Sequence, residues 1–269
     1  MAPGADRASD SDRARSRGGP GPAEPADRTR GPVEVLTVRI APGSDAEEAV
    51  WATTLEVAGL FREWPWVLVG AQMIMLLELE HGRSSGRTTG DVDVIVDARA
   101  LVRATRLAAQ QLVQAGFELS AEHPYRFVRG RDQVDLLAPV HLGQQADLTT
   151  VPPLTTTQIP GGRRALETRR QVAVEIVGVG ACELPIPSLA GGIVTKVRAC
   201  QARRTLRDVE DLVRLLSLVE AVEAVRDELR PQERKGLGSI AALRDEGHPA
   251  WSVGADPDDA RAALARLAD

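Results

Sequence analysis

Aromatic side chains are scarce. Phe, Trp and Tyr together make up 3% of the 269 residues, so a core must be assembled from Val, Leu, Ile and Ala. The only cysteines are Cys182 and Cys200, which argues against a disulfide framework and fits a reducing compartment. No stretch reaches the roughly 18 uninterrupted apolar residues of a membrane span. The N-terminal segment has no apolar core of the signal-peptide kind, so a cytoplasmic protein without membrane contact is expected. A net charge of −5 supplies no global attraction to nucleic acid or anionic membrane. Walker loops and G-x-G-x-x-G are missing. His81, His123, His141 and His248 are scattered without metal-ligand spacing. Lysine is nearly absent too: of 33 Lys+Arg, only Lys196 and Lys235 are lysines. In so arginine-rich a chain, a retained lysine is a candidate for a specific task.

Residues 1–32 are rich in Gly, Pro, Ala, Ser, Asp and Arg and hold no large apolar residue after Met1. Such a stretch cannot bury enough surface to offset its ordering entropy, and a disordered tail is expected. Residues 33–186 read as an α/β (α+β) domain of mixed sheet with flanking helices, and 187–269 as a helical C-terminal region. Ser44 with Glu47 matches a capping box opening a helix to about Phe61. Trp66–Val69 is a short buried strand, Ala71–Glu80 a helix, Asp91–Val96 a strand and Ala98–Ala115 a helix. Strands follow at 117–120, 125–129 and 133–137, then a long Thr/Pro-rich loop over 140–160. A hairpin over 172–186 turns at Gly178–Gly180, and helices follow near 188–203, 206–218, 219–229 and 257–268. Arg163, Arg164, Arg169 and Arg170 form a basic cluster of a size that is usually just solvated; contact with RNA or a nucleotide is the alternative.

The chemistry concentrates in Gly90-Asp91-Val92-Asp93-Val94-Ile95-Val96-Asp97. Strand side chains alternate faces, so Asp91 and Asp93 point one way while the valines point the other. Two acids on one face repel unless a cation lies between them, and a hard ion such as Mg²⁺ suits oxygen ligands. Asp135 interrupts a second apolar strand, where an unpaired carboxylate would be costly. Were the two strands neighbours, Asp91, Asp93 and Asp135 would form a three-carboxylate cluster suited to phosphoryl transfer. Upstream, Val67-Leu68-Val69-Gly70-Ala71 is a strand breaking into a helix. A helix N-terminus offers free N–H groups to phosphate oxygens, and Gly70 permits close approach. Between them lies a polar loop containing Arg83, Ser84, Ser85, Arg87, Thr88 and Thr89. Downstream, Lys196, Arg203 and Arg207 would lie near one face if their helix were continuous, and Asp208 and Asp211 share a face by their i, i+3 spacing.

In this order and spacing the chain resembles the nucleotidyltransferase superfamily, of polymerase-β-like fold, and within it the AbiEii-type toxins and their relatives. The likeness rests on Val-Leu-Val-Gly-Ala, on Arg87-Thr88-Thr89-Gly90-Asp91-Val92-Asp93, on Asp135 within Val134-Asp135-Leu136-Leu137, and on a helical block. That block runs through Ile186-Pro187-Ser188-Leu189, Lys196-Val197-Arg198-Ala199 and Arg203 to Asp211. The resemblance implies Mg²⁺ held by Asp91, Asp93 and Asp135, which would also be the catalytic residues. It gives nucleotide binding to Gly70, Ala71, Arg87, Thr88 and Lys196, with Asp208, Asp211 and Arg203 in support. The implied reaction transfers NMP from an NTP to an acceptor hydroxyl on tRNA, a protein or a small molecule, and the toxin branch adds an antitoxin partner.

Many catalytic members carry Ser or Gly where Ala71 stands. The alternative is therefore a degenerate fold that binds nucleotide or a partner without turnover. A D-x-D glycosyltransferase ranks last, because the helical C-terminal block does not suit a doubly wound nucleotide-sugar domain.

Overall fold

The computed structural model describes residues 37–143, 146–253 and 256–269; the tail expected over 1–32 lies outside them. The described residues fall within one compact unit, Val35–Asp269, of mixed α/β type. In chain order it comprises β1 (Thr37–Ile40), α1 (Asp45–Leu60), β2 (Trp66–Leu68), α2 (Gly70–Glu80), β3 (Val92–Val96), α3 (Ala104–Gln114), β4 (Glu118–Leu119), β5 (Arg126–Arg129) and β6 (Asp132–Pro139). Then follow β7 (Gln158–Ile159), α4 (Gly162–Glu167), β8 (Arg169–Ile176), β9 (Gly180–Pro187), α5 (Leu189–Arg203) and α6 (Leu206–Leu216). The chain ends in α7 (Val222–Glu228), α8 (Pro231–Gly238), α9 (Ala241–Arg244), a 3₁₀ turn and α10 (Pro257–Ala268).

The main sheet has the order β2-β3-β6-β5-β4, with β7 joining β6 at its far end. β3 and β6 are parallel, with Asp93 opposite Asp135, while β2 and β5 run antiparallel on either side. Strand alternation sorts the side chains into two faces. Trp66, Leu68, Val92, Val94, Val96, Phe127, Val134 and Leu136 join the large core under α1, α2 and α3. Val67, Val69, Ile95 and Leu137 point the other way and are covered by Ala165 and Leu166 of α4. The acids share this second face with Ile95 and Leu137, beyond the apolar part that α4 covers.

β1, β8 and β9 form a separate three-stranded sheet, with β1 parallel to β8. The helical region shares the large core: α6 packs on α2, and α5 on α4 and α6. Gly191 permits the α4–α5 approach, because a Cβ there would fall 2.0 Å from Thr168 Oγ1.

Several expectations hold in detail. Ser44 caps α1, its Oγ accepting from Glu47 N at 3.3 Å, although Glu47 reaches back to Gly43 N at 2.7 Å and not to Ser44. The 172–186 hairpin is present and extends to Arg169 and Pro187. Other elements differ. The helix expected from Ala98 begins at Ala104, because the Asp97 side chain takes the N–H groups of Arg99 and Ala100 into a local turn.

α4 occupies the place read as a basic cluster, and its arginines are committed within the protein. Arg163 pairs with Glu167 at 2.7 Å, Arg164 with Glu233 at 3.3 Å and Arg170 with Glu80, while Arg169 donates to Trp66 O. Lys196, Arg203 and Arg207 do not share one continuous helix. Arg204 adopts a left-handed conformation (φ 54°) that ends α5, and Thr205 caps α6.

Phe127 is fully buried at the centre of β5, opposite Val134. Phe127→Ala should cost about 3–5 kcal/mol of stability by urea unfolding; a loss below about 1 kcal/mol would show that β5 is not anchored through this ring.

Candidate functional site

Local sequence first explains how the acids are presented. The extended loop after α2 alternates sides, so Arg87 and Thr89 turn inward while Thr88 is exposed and does not line the cavity described below. Two pairings hold that loop down: Ser85 Oγ donates to Glu78 Oε2 at 2.6 Å, and Arg214 reaches Glu78 Oε1 at 3.1 Å. Thr89 Oγ1 then donates to Asp91 Oδ1 at 2.6 Å, fixing the rotamer of the first acid. The parallel register of β3 and β6 adds Asp135, and one oxygen from each of Asp91, Asp93 and Asp135 lies within 4.8 Å of the others.

Beside them, α2 begins at Gly70, whose φ is +69°. A Cβ at Gly70 would fall 1.8 Å from Asp93 Oδ2 and 2.9 Å from Asp93 Cβ. Glycine is required there for two reasons: left-handed backbone, and the space Asp93 fills. The first N–H groups of α2 have no partner within the helix, and Val69, Gly70 and Ala71 line the same cavity as the acids, which holds about 610 Å³.

The opposite wall is basic. Lys196 of α5 donates from Nζ to Asp211 Oδ2 at 2.7 Å, with both side chains buried (8% and 2% exposed). Arg87 meets the same carboxylate, its Nε 2.9 Å from Oδ1 and its Nη2 donating to Oδ2 at 3.3 Å. One carboxylate thus holds two cations, and the group stays net positive. Arg203 forks onto Asp208 at 2.6 and 3.1 Å, and Thr205 Oγ1 donates to the same carboxylate at 2.7 Å. Burial acts to raise the Asp208 pKa, but the hydrogen bonds from Arg203 and Thr205 outweigh it and hold this carboxyl below its ordinary range. Arg207 is exposed and also lines the cavity.

The three acids are not equivalent. Arg126, directly across from Asp135 on β5, donates to both Asp135 oxygens at 2.7 and 2.8 Å and to Asp91 Oδ2 at 3.3 Å. Asp93 has no side-chain hydrogen bond or ion pair among the described residues. It sits on the cavity floor, enclosed by protein yet partly open to the cavity. Removal from bulk water, then the charges of Asp91 and Asp135, push its pKa from 3.8 up to about 7, against the opposing pull of Lys196 and Arg126. Neither cysteine offers a nucleophile. Both are free thiols, and burial raises both, Cys200 to about 12.

Of the residues singled out in the sequence, Gly70, Ala71, Arg87, Asp91, Asp93, Asp135, Lys196, Arg203, Asp208 and Asp211 line one cavity, and Thr88 stands outside it. Sequence reasoning missed Arg126, the cation closest to the acids. Its signal was countable: in a hairpin turning at Gly130-Arg131, with Arg129 opposite Asp132, counting three residues back along one strand and three forward along the other puts Arg126 opposite Asp135. Tyr125, the chain's single tyrosine, also lines the cavity, beside Leu137 and Ile159. Compared with protein-family models and with curated proteins, the chain matches none.

Gly70→Ala should lose roughly 1–2 kcal/mol from the left-handed backbone alone and more from the clash with Asp93, read by urea unfolding. A loss below about 1 kcal/mol would refute the close packing of Gly70 on Asp93.

The raised Asp93 pKa has a signed consequence for metal-free protein. The folded state holds this proton more tightly than the unfolded chain. Its stabilising contribution is therefore full below about pH 4 and lost as pH rises to about 7. Asp93→Asn lacks that loss. In EDTA its stability relative to the parent should rise across that window and level off above it, by up to a few kcal/mol. A pH-independent difference in urea unfolding would refute the raised pKa of Asp93.

Proposed function

We propose that the protein is a metal-dependent nucleotidyltransferase, as the sequence resemblance implies. The observation that carries this reading is the meeting of an acidic wall and a basic wall across one cavity, with Gly70 and the start of α2 between them. The acids fit a hard divalent ion. They are all-oxygen donors, and Asp93 is a carboxylate without a partner whose charge a cation would relieve. Mg²⁺ would be held by Asp91 and Asp93, with Asp135 as the third carboxylate within reach. Bound there, it would neutralise the acids and polarise the phosphate under attack.

The chain's own residues supply the rest. Lys196 and Arg87, oriented by their shared carboxylate, bind the triphosphate from the basic wall. The opening N–H groups of α2 take phosphate oxygens where Gly70 leaves room. The acceptor hydroxyl oxygen bonds to the α-phosphorus and loses its proton to solvent, the bond from the α-phosphorus to the oxygen bridging to the β-phosphate breaks, and pyrophosphate leaves. A tRNA or protein acceptor, and an antitoxin partner, accompany the toxin-branch resemblance. A cytoplasmic setting fits the two free cysteines, and no described helix is long and apolar enough to cross a membrane.

A second reading, nucleotide binding without turnover, draws support from Arg126, whose fork on Asp135 keeps that acid from an acceptor hydroxyl, and from Ala71. Incubation with each α-labelled NTP, Mg²⁺ and cell extract distinguishes the two. Label should pass to an acceptor, fall to background in Asp91→Asn and Asp93→Asn, and need at least about tenfold more NTP in Lys196→Ala. If the parent binds an NTP in Mg²⁺ yet transfers no label, the binding module is right. If nucleotide affinity is also unchanged in Asp91→Asn, the metal site itself is refuted.

A further inference from the structure

The acid cluster already contains a cation. Arg126 occupies both oxygens of Asp135 through a two-pronged contact and reaches Asp91 with the same terminal nitrogen. Planar bidentate pairing of this kind is among the stronger ionic contacts available to a side chain. Here it is reinforced by position. Arg126 and Asp135 are direct cross-strand partners, and the Asp135 side chain is only 8% exposed. Pulling the guanidinium away would leave a buried carboxylate without its counter-charge, a costly state. Asp91 and Asp93 differ. Asp91 has one hydroxyl partner in Thr89 and a longer contact to Arg126, and Asp93 has none among the described residues.

We infer that Arg126 sets the ligand number of this site: a divalent ion is held by Asp91 and Asp93, while Arg126 keeps Asp135 out of its coordination shell, so that each chain takes one ion and not two. The inference rests on the reading of the cluster as a metal site and adds to it which carboxylates serve. Two arguments support it. A guanidinium and a divalent ion on the same three acids repel each other, so the ion takes the acids that Arg126 holds least. Arginine also does not deprotonate in proteins, and raising the pH therefore does not lift its hold on Asp135. Asp135 then acts as a positioning residue: it fixes Arg126 on the cavity wall, beside the ion and facing any bound phosphate.

The test reads metal binding directly, on full-length metal-free protein titrated with Mn²⁺ and followed by the paramagnetic resonance of the free ion. The parent should bind one ion. Arg126→Gln releases the third carboxylate and should tighten Mn²⁺ binding at least about tenfold or add a second ion. The double variant Arg126→Gln/Asp135→Asn removes the pair as a unit and should return to within about threefold of the parent. Arg126→Met, similar in bulk, replaces Arg126→Gln if that variant does not fold.

Unchanged or weaker binding in Arg126→Gln overturns the inference, since Arg126 would not be competing. So does a loss of about tenfold or more in the double variant, since Asp135 would then be a ligand in the parent. Failure of the underlying metal reading has a different signature: neither the parent nor Arg126→Gln binds Mn²⁺, or Asp93→Asn leaves the affinity untouched.

Discussion

Asp93 and Asp135 are register partners on parallel strands, and the repulsion between two carboxylates side by side governs their surroundings. A sheet carrying acids on one face needs cations near them, and two sources answer here. Arg126 comes from the antiparallel neighbour β5 and forks onto Asp135. Lys196 comes from α5 and acts on Asp93 through space while bonded to Asp211. Asp93 lies between these arrangements without a bonded partner of its own, and its high pKa records that state.

Around that centre each element has a positional task. Gly70 has no side chain because Asp93 fills the space. The loop from α2 to β3 is held by Glu78, which binds both Ser85 and Arg214, so that Thr89 arrives at Asp91. The sharp end of α5 at Arg204, capped into α6 by Thr205, turns Asp208 and Asp211 back towards Arg203 and Lys196. The helical region is thus the other half of the site and not an appendage to the sheet. Fixed charges arranged this way are pre-paid at folding, which is how a site stabilises an anionic ligand without reorganising for it.

Much of this was legible residue by residue. The Ser44 cap, the strand–Gly–helix turn, the two acids on one strand face and the 172–186 hairpin all follow from local rules, and all are present. The misses share a cause. The resemblance implies nucleotide binding by Thr88, whereas this residue is exposed and outside the cavity, because an extended loop alternates and the side it shows is set by where Arg87 is pinned. The arginines around α4 read as a free cluster because their partners, Glu80, Glu233 and the backbone of Trp66, are far away in the chain.

The chain alone therefore determined the kinds of elements and the cast of candidate residues, since periodicity, capping and the cost of burying an acid are properties of short segments. Tertiary structure decided which cation meets which carboxylate. Arg87 and Asp211 are 124 positions apart, and their pairing exists only because α6 packs against α2. Arg126 reaches Asp91 as well as Asp135 only because the hairpin register and the parallel β3–β6 pairing are both realised. Charge–charge contacts depend on ångström distances, and those are set by packing across the whole molecule.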